Sequence, residues 1–194
     1  YFVGWNDLRN SHIPKLDAGY ADFHMPSQVD SLKVRRVGGS NVTISPLLTV
    51  LTRLVSAEVD TVRYAKDPYA LPPVAGPDAA AATIFERNVR SISALNRARG
   101  TPTIWVGQVV NPDRLTGEGL YGWLPRVRDR DLPRLLRDSN ALLERTAKAL
   151  GDTYVALPEE AFGPADFVDQ GHFSAAGARR FAALLAPAVR EACR

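Results

Sequence analysis

The sequence predicts an α/β domain, a parallel sheet with helices on both faces. Three observations carry this. Short apolar runs alternate with long amphipathic segments in the order strand, helices, strand, helix, strand, helix. Two of the helical segments stop at a glycine, Gly100 and Gly151. The chain has 194 residues, 45% hydrophobic and 23% charged, the composition of an ordinary globular domain able to bury a core.

Tyr1 to Gly4 is short and apolar, a strand entering a turn. Residues 8–44 are irregular, punctuated by Pro14, Gly19, Pro26, Gly38 and Gly39. Ser45-Pro46 pairs an N-cap serine with proline at the first helical position, and Leu47, Leu51, Leu54 and Val55 then share a face. Residues 66–78 are a proline-rich loop. A helix is expected from about Asp78 to Arg99, burying Phe85, Val89, Ile92 and Leu95. Thr103 to Val106 reads as a buried strand, and 111–130 as another loop.

The next helix spans about Asp131 to Leu150, with Leu132, Leu136, Leu143, Ala147 and Leu150 on its apolar face. Thr153 to Leu157 is a strand. The last helix begins near Ser174 and carries Ala178, Phe181, Ala182 and Leu185; Pro187 should kink or end it. Three strands are fewer than the five or so of a doubly wound domain, whose first strand precedes the catalytic loop. The chain also opens without methionine, in mid-strand. The expectation is therefore that residues 1–194 are the C-terminal portion of a single domain whose N-terminal strand or strands are missing.

Several function classes fall away. No apolar run has the length needed to span a bilayer, and Tyr1-Phe2-Val3-Gly4 is not a signal peptide. The net charge is +3, and the short arginine clusters are interrupted, so no coherent basic face for nucleic acid is expected. The single cysteine, Cys193, cannot form an internal disulfide, which leaves the compartment open. No metal or cofactor is expected. The histidines are far apart, paired-cysteine spacing is absent, and no glycine-rich phosphate loop follows a strand.

Of the three histidines, His12 and His24 lie in the irregular stretch without an obvious partner. His172 differs. It sits in Asp169-Gln170-Gly171-His172, after a strand and just before an amphipathic helix. In open α/β sheets ligand-binding and catalytic residues gather at the carboxyl ends of strands. A serine hydroxyl needs an adjacent imidazole to take its proton, and the imidazole needs a carboxylate to hold its tautomer. Asp166, six residues before His172, is a competing carboxylate, but the Asp-x-x-His spacing favours Asp169.

Two longer blocks carry a resemblance. Asp169-Gln-Gly-His172-Phe-Ser-Ala-Ala-Gly177 resembles the closing block of the SGNH (GDSL-type) serine esterase and lipase family. Gly4-Trp5-Asn6-Asp7 resembles that family's third block, and the two stand in the family's order. The resemblance implies a flavodoxin-like, three-layer α/β/α sandwich and ester hydrolysis through a serine acyl-enzyme. It implies His172 as base, Asp169 as its orienting acid, and Asn6 as an oxyanion donor in a substrate-binding turn begun by Gly4. A neutral donor aimed at developing charge contributes about 10²- to 10³-fold in rate. Asp7 would stabilise the turn.

The family's Gly-Asp-Ser block, which supplies the nucleophile, is absent from this sequence. Ser40 follows the third block and lacks a nucleophile-elbow context, and Ser11 and Ser174 read as loop and N-cap residues. The serine is therefore expected from a segment outside this chain, an N-terminal stretch or a companion fragment. Two alternatives stand beside hydrolysis: an acyltransferase with the same triad, and a non-catalytic binding module on a degenerate hydrolase fold. The resemblance alone favours a secreted or cell-envelope location. Residues 8–44 and 111–130 are expected to rim the pocket, with Trp5, Phe23, Trp123 and Phe173 as wall or core residues.

Overall fold

A computed structural model describes residues 1–9, 11–12, 72–115, 124 and 126–193. These residues belong to one compact unit. The expected helix at Ser45-Pro46, most of the irregular stretch before it, His24, Phe23, Ser40 and Trp123 lie outside the described residues.

Two short strands, β1 (Ile104–Val106) and β2 (Thr153–Val155), pair in parallel, with Trp105 opposite Tyr154. Phe2 adds a parallel bridge to Val106 on the other side of β1. The Tyr1 nitrogen donates to the Ile104 carbonyl at 2.6 Å, and the Val106 N–H donates to the Tyr1 carbonyl at 2.9 Å. The order across the sheet is thus Phe2, β1, β2.

Four helices are described: α1 (Trp5–Leu8), α2 (Ala79–Ala98), α3 (Leu132–Leu150) and α4 (Ala175–Ala192). Their ends arise from local chemistry. The Asp78 carboxylate accepts from the Ala80 and Ala81 N–H groups and starts α2. Proline in the first turn opens α3, and Gly151 closes it in the left-handed region at φ 74°. Ser174 caps α4 by accepting from the Gly177 N–H at 3.2 Å.

Strand alternation sends side chains to two faces. Trp105 packs with Phe85 and Val89 of α2 and Leu143 and Ala147 of α3. Val106 packs on the opposite face with Val109, Leu157 and Phe167, against Phe181, Leu184 and Leu185 of α4. Helices therefore cover both faces of the strand pair. Burying a leucine such as Leu143 or Leu136 stabilises by about 1.5–3 kcal/mol each. The Trp105 indole N–H donates to Asp152 at 2.8 Å, so its polar edge is satisfied inside the core.

Two helix expectations need correction, and a third is narrowed. Leu95 is 62% exposed. At about 100° per residue it stands about 80° from Phe85 around α2, whereas Asn96 stands about 20° away. Asn96 takes the inward position and donates to the Thr103 hydroxyl at 3.1 Å. On α4, Ala178 and Ala182 are exposed, and the inward stripe runs through Gly177, Phe181, Leu184 and Leu185. Of the two outcomes expected at Pro187, a kink or an end, the end is ruled out: α4 continues to Ala192. Pro187 and Ala183, whose carbonyl loses its helical donor there, are both exposed, so water can replace the missing bond.

Candidate active site

The segment between β2 and α4 folds back on itself. Phe167 and Phe173 form an antiparallel bridge, and the Val168 N–H donates to the His172 carbonyl at 2.9 Å. Asp169 begins the tip of this small hairpin. One carboxylate oxygen accepts from the backbone N–H of Gly171 at 2.9 Å and of His172 at 2.8 Å. An aspartate that bonds its own chain two residues on is an Asx turn. The turn leaves the second oxygen 2.7 Å from His172 Nδ1. With Nδ1 held there, Nε2 is the ring nitrogen that remains for other work.

Burial pushes the Asp169 carboxyl up, but the two backbone donors and the His172 ring outweigh that and hold it below its usual range. The pair is a surface feature: the His172 side chain is 75% exposed and that of Asp169 39%.

Asp166, the competing carboxylate, does different work. It is buried, and its carboxylate accepts from the Gly163 N–H at 2.9 Å and from Arg180 Nε at 3.1 Å. Its carbonyl accepts from the Ser174 N–H at 2.8 Å. Asp166 thereby ties the base of the hairpin to α4. Gly177 is pressed against it. A Cβ there would be driven into the Asp166 carbonyl oxygen and would lie 3.0 Å from Phe173 Cδ1.

Phe173 is the centre of a ring cluster. Its ring lies 5.8 Å from Phe2, 5.1 Å from Phe162 and 5.4 Å from both Phe167 and Phe181. Rings at these separations add about 0.5–1.5 kcal/mol per pair beyond burial. The residue after His172 is thus a core anchor rather than a pocket wall. The other flank of the hairpin is tied to the continuation of β1. The Asn111 N–H donates to the Gln170 carbonyl at 2.8 Å. Three residues earlier, Asn140 of α3 grips the Gln108 backbone at two points, accepting from its N–H and donating to its carbonyl, each at 2.8 Å.

Asn6 stands on α1, the single helical turn that follows Gly4. Gly4 adopts φ 135°, open to glycine and strained for other residues, and a Cβ there would sit 3.3 Å from Gln108. The turn presents two sides. Trp5, Asn6 and Arg9 line a cavity of about 190 Å³ together with Leu124, Gly171 and His172. Asp7, Leu8 and Ser11 face a separate cavity of about 460 Å³, with Phe85, Leu135 and Leu142 on its walls.

Asn6 and His172, from opposite ends of the sequence, thus share one small cavity, with Asp169 directly behind His172. Gly4 is buried and is not among the described lining residues. Ser11 belongs to the other cavity, and Ser174 is engaged as a helix cap, its hydroxyl donating to the Ala165 carbonyl at 2.8 Å. His12 also has partners. Its N–H donates to Asp78 at 2.6 Å, and its Nε2 lies 2.9 Å from the Gly76 carbonyl, so it fastens the start of α2.

Arg9, Leu124 and Arg180 did not stand out in the sequence. Arg9 was legible in principle, three residues after Asn6 on the same turn; Arg180 likewise stands three residues after Gly177. Among the described residues no group of three or more histidines, cysteines or acidic residues stands ready for a metal, and no described helix is long and apolar enough to cross a membrane. No family model, curated protein or solved structure matches this chain.

Proposed function

We propose that this chain supplies the base, the orienting acid and one oxyanion donor of an SGNH-type serine hydrolase acting on ester bonds. The serine comes from a segment outside this sequence, on an α/β/α sandwich to which β1, β2 and the Phe2 segment belong. The observation that carries the reading is the convergence of Asn6 and the Asp169–His172 pair on one cavity.

In the proposed reaction His172 Nε2 takes the serine hydroxyl proton as the oxygen attacks the ester carbonyl carbon. The Asn6 side-chain amide donates to the oxygen that becomes negative. The carbon–alkoxide bond breaks, and His172 returns the proton to the leaving alcohol. Water then adds to the acyl-enzyme by the same route, releasing the acid and the serine. Asp169 holds the imidazole orientation throughout and stabilises the imidazolium.

Two measurements test this. A fluorophosphonate probe on the native preparation, read by intact mass, should label a serine on a longer chain or a companion fragment. Replacing His172 by alanine in the complete protein should lower turnover by several orders of magnitude. Near-normal turnover would sink the assignment. Absence of any adduct would leave the binding module as the better account of these residues.

A further inference from the structure

Resting on the hydrolase reading, we propose that the cavity shared by Asn6 and His172 holds the acyl side of the ester, limits it to about four carbons, and does not restrict the alcohol side. The described lining residues divide by exposure. Asn6 is exposed, and the His172 side chain is 75% exposed. Leu124 is 2% exposed, and Gly171 is buried. The two reacting groups therefore stand at the mouth, and Leu124 and Gly171 close the inner end.

The order of the reaction decides which half of the ester lies inward. The alcohol departs first, taking its proton from the imidazole. Water must then reach the same nitrogen while the acyl group is still bound to the serine. An alcohol seated at the closed end would have to pass the acyl group to leave, and water would have to pass it to enter. The open side at His172 is thus the alcohol's side, and the acyl chain points toward Leu124 and Gly171.

Volume sets the length. The cavity measures about 190 Å³, below the roughly 300–1,000 Å³ of sites for drug-sized ligands. At roughly 30 Å³ for each water-sized group it holds about six. The carbonyl carbon, its oxygen and the serine oxygen take three of these places, which leaves about three for further carbons. Leu124 sets the limit. It is packed in a buried cluster with Val127, Leu132 and Leu135, so it cannot turn aside for a longer chain without opening that cluster. Leu124 is then the specificity-determining residue of the site.

The test compares two isomeric esters as substrates of the complete protein. Hexyl acetate and methyl heptanoate contain the same atoms, with the long chain on the alcohol in one and on the acyl group in the other. One surplus methylene in a closed apolar pocket costs about 10- to 200-fold. The kcat/KM should therefore favour hexyl acetate by about a hundredfold or more. Leu124→Ala should narrow that ratio about tenfold by admitting the longer chain, with turnover of methyl acetate as the check on folding. Leu124→Val, one methylene smaller, should narrow it less and is the variant to use if alanine does not fold. A wild-type ratio near one or reversed would overturn the proposal, as would a ratio unmoved in a Leu124 variant that still hydrolyses methyl acetate. Failure to turn over hexyl acetate in a protein whose serine takes the fluorophosphonate probe would also overturn it, and would leave the hydrolase reading standing. A protein with neither label nor turnover removes the hydrolase reading, and this inference falls with it.

Discussion

Replacing Gly177 by alanine tests how the hairpin is seated on α4. The added methyl would run into the Asp166 carbonyl oxygen and stand 2.9 Å from its carbonyl carbon. That backbone cannot yield freely. The same carbonyl accepts from Ser174, and the Asp166 side chain is held by Gly163 and Arg180. Relief requires α4 to lift away or the Ser174 bond to break. Overpacking costs about 1–3 kcal/mol. A lost backbone bond adds about 1 kcal/mol. The better helix propensity of alanine returns up to about 1 kcal/mol. The net is a loss of about 2 kcal/mol. With a denaturant slope near 2 kcal/mol/M, the urea midpoint should fall by about 1 M. The His172 Nδ1 proton should also exchange faster as the hairpin loosens. Gly151→Ala is the comparison: nothing lies within 4 Å of that position, and only the left-handed backbone, at about 1–2 kcal/mol, resists. An unchanged or raised midpoint in Gly177→Ala would refute the close seating of helix on loop.

Other outcomes are expected from the same geometry. On the proposed mechanism, Asp169→Asn in the complete protein should lower turnover by about two to four orders of magnitude with the fold retained, since an orienting carboxylate sets the tautomer of its histidine; steady-state kinetics beside circular dichroism would check it. The Asp169 carboxyl is held below its usual range by the two backbone donors and the His172 ring. A carboxyl depressed on folding favours the folded hairpin at any pH above its unfolded value, and that contribution vanishes as pH falls through the folded pKa. The His172 amide should therefore lose protection only below about pH 4, and loss near neutrality would contradict the Asx turn. Leu143→Ala, at the buried junction of α3 with Trp105, should cost about 2–5 kcal/mol in urea unfolding; a loss below about 1 kcal/mol would show the site to be looser than described.

The three long helices α2, α3 and α4 were legible because each declares itself within a few residues; α1 was not. Asp78, Ser174 and Gly151 mark ends that depend on one side chain or one backbone conformation. The Asp169–His172 pair was legible for the same reason, since its bonds span three positions. What the pattern could not show was which way a stripe faces once neighbours compete for it. Leu95 yields the interior of α2 to Asn96 because a polar contact with Thr103 is available there. The two sides of α1 were equally hidden, because one helical turn carries too little periodicity to assign them. Phe173 as a ring hub, and Arg180 as the partner of Asp166, depend on contacts between separate elements that no local spacing encodes.

The hairpin that holds Asp169 and His172 is closed almost entirely by its own neighbours in sequence: the Asx turn, the Phe167–Phe173 bridge and the Ser174 cap. Closing so short a loop carries little of the entropy that a contact between distant strands must overcome. This half of the proposed site can therefore form early in folding, before the sheet brings α1 and Asn6 alongside. Asp169 and His172 would arrive at the cavity as one prefabricated pair. The slow, topology-limited step would be the arrival of the groups that face them.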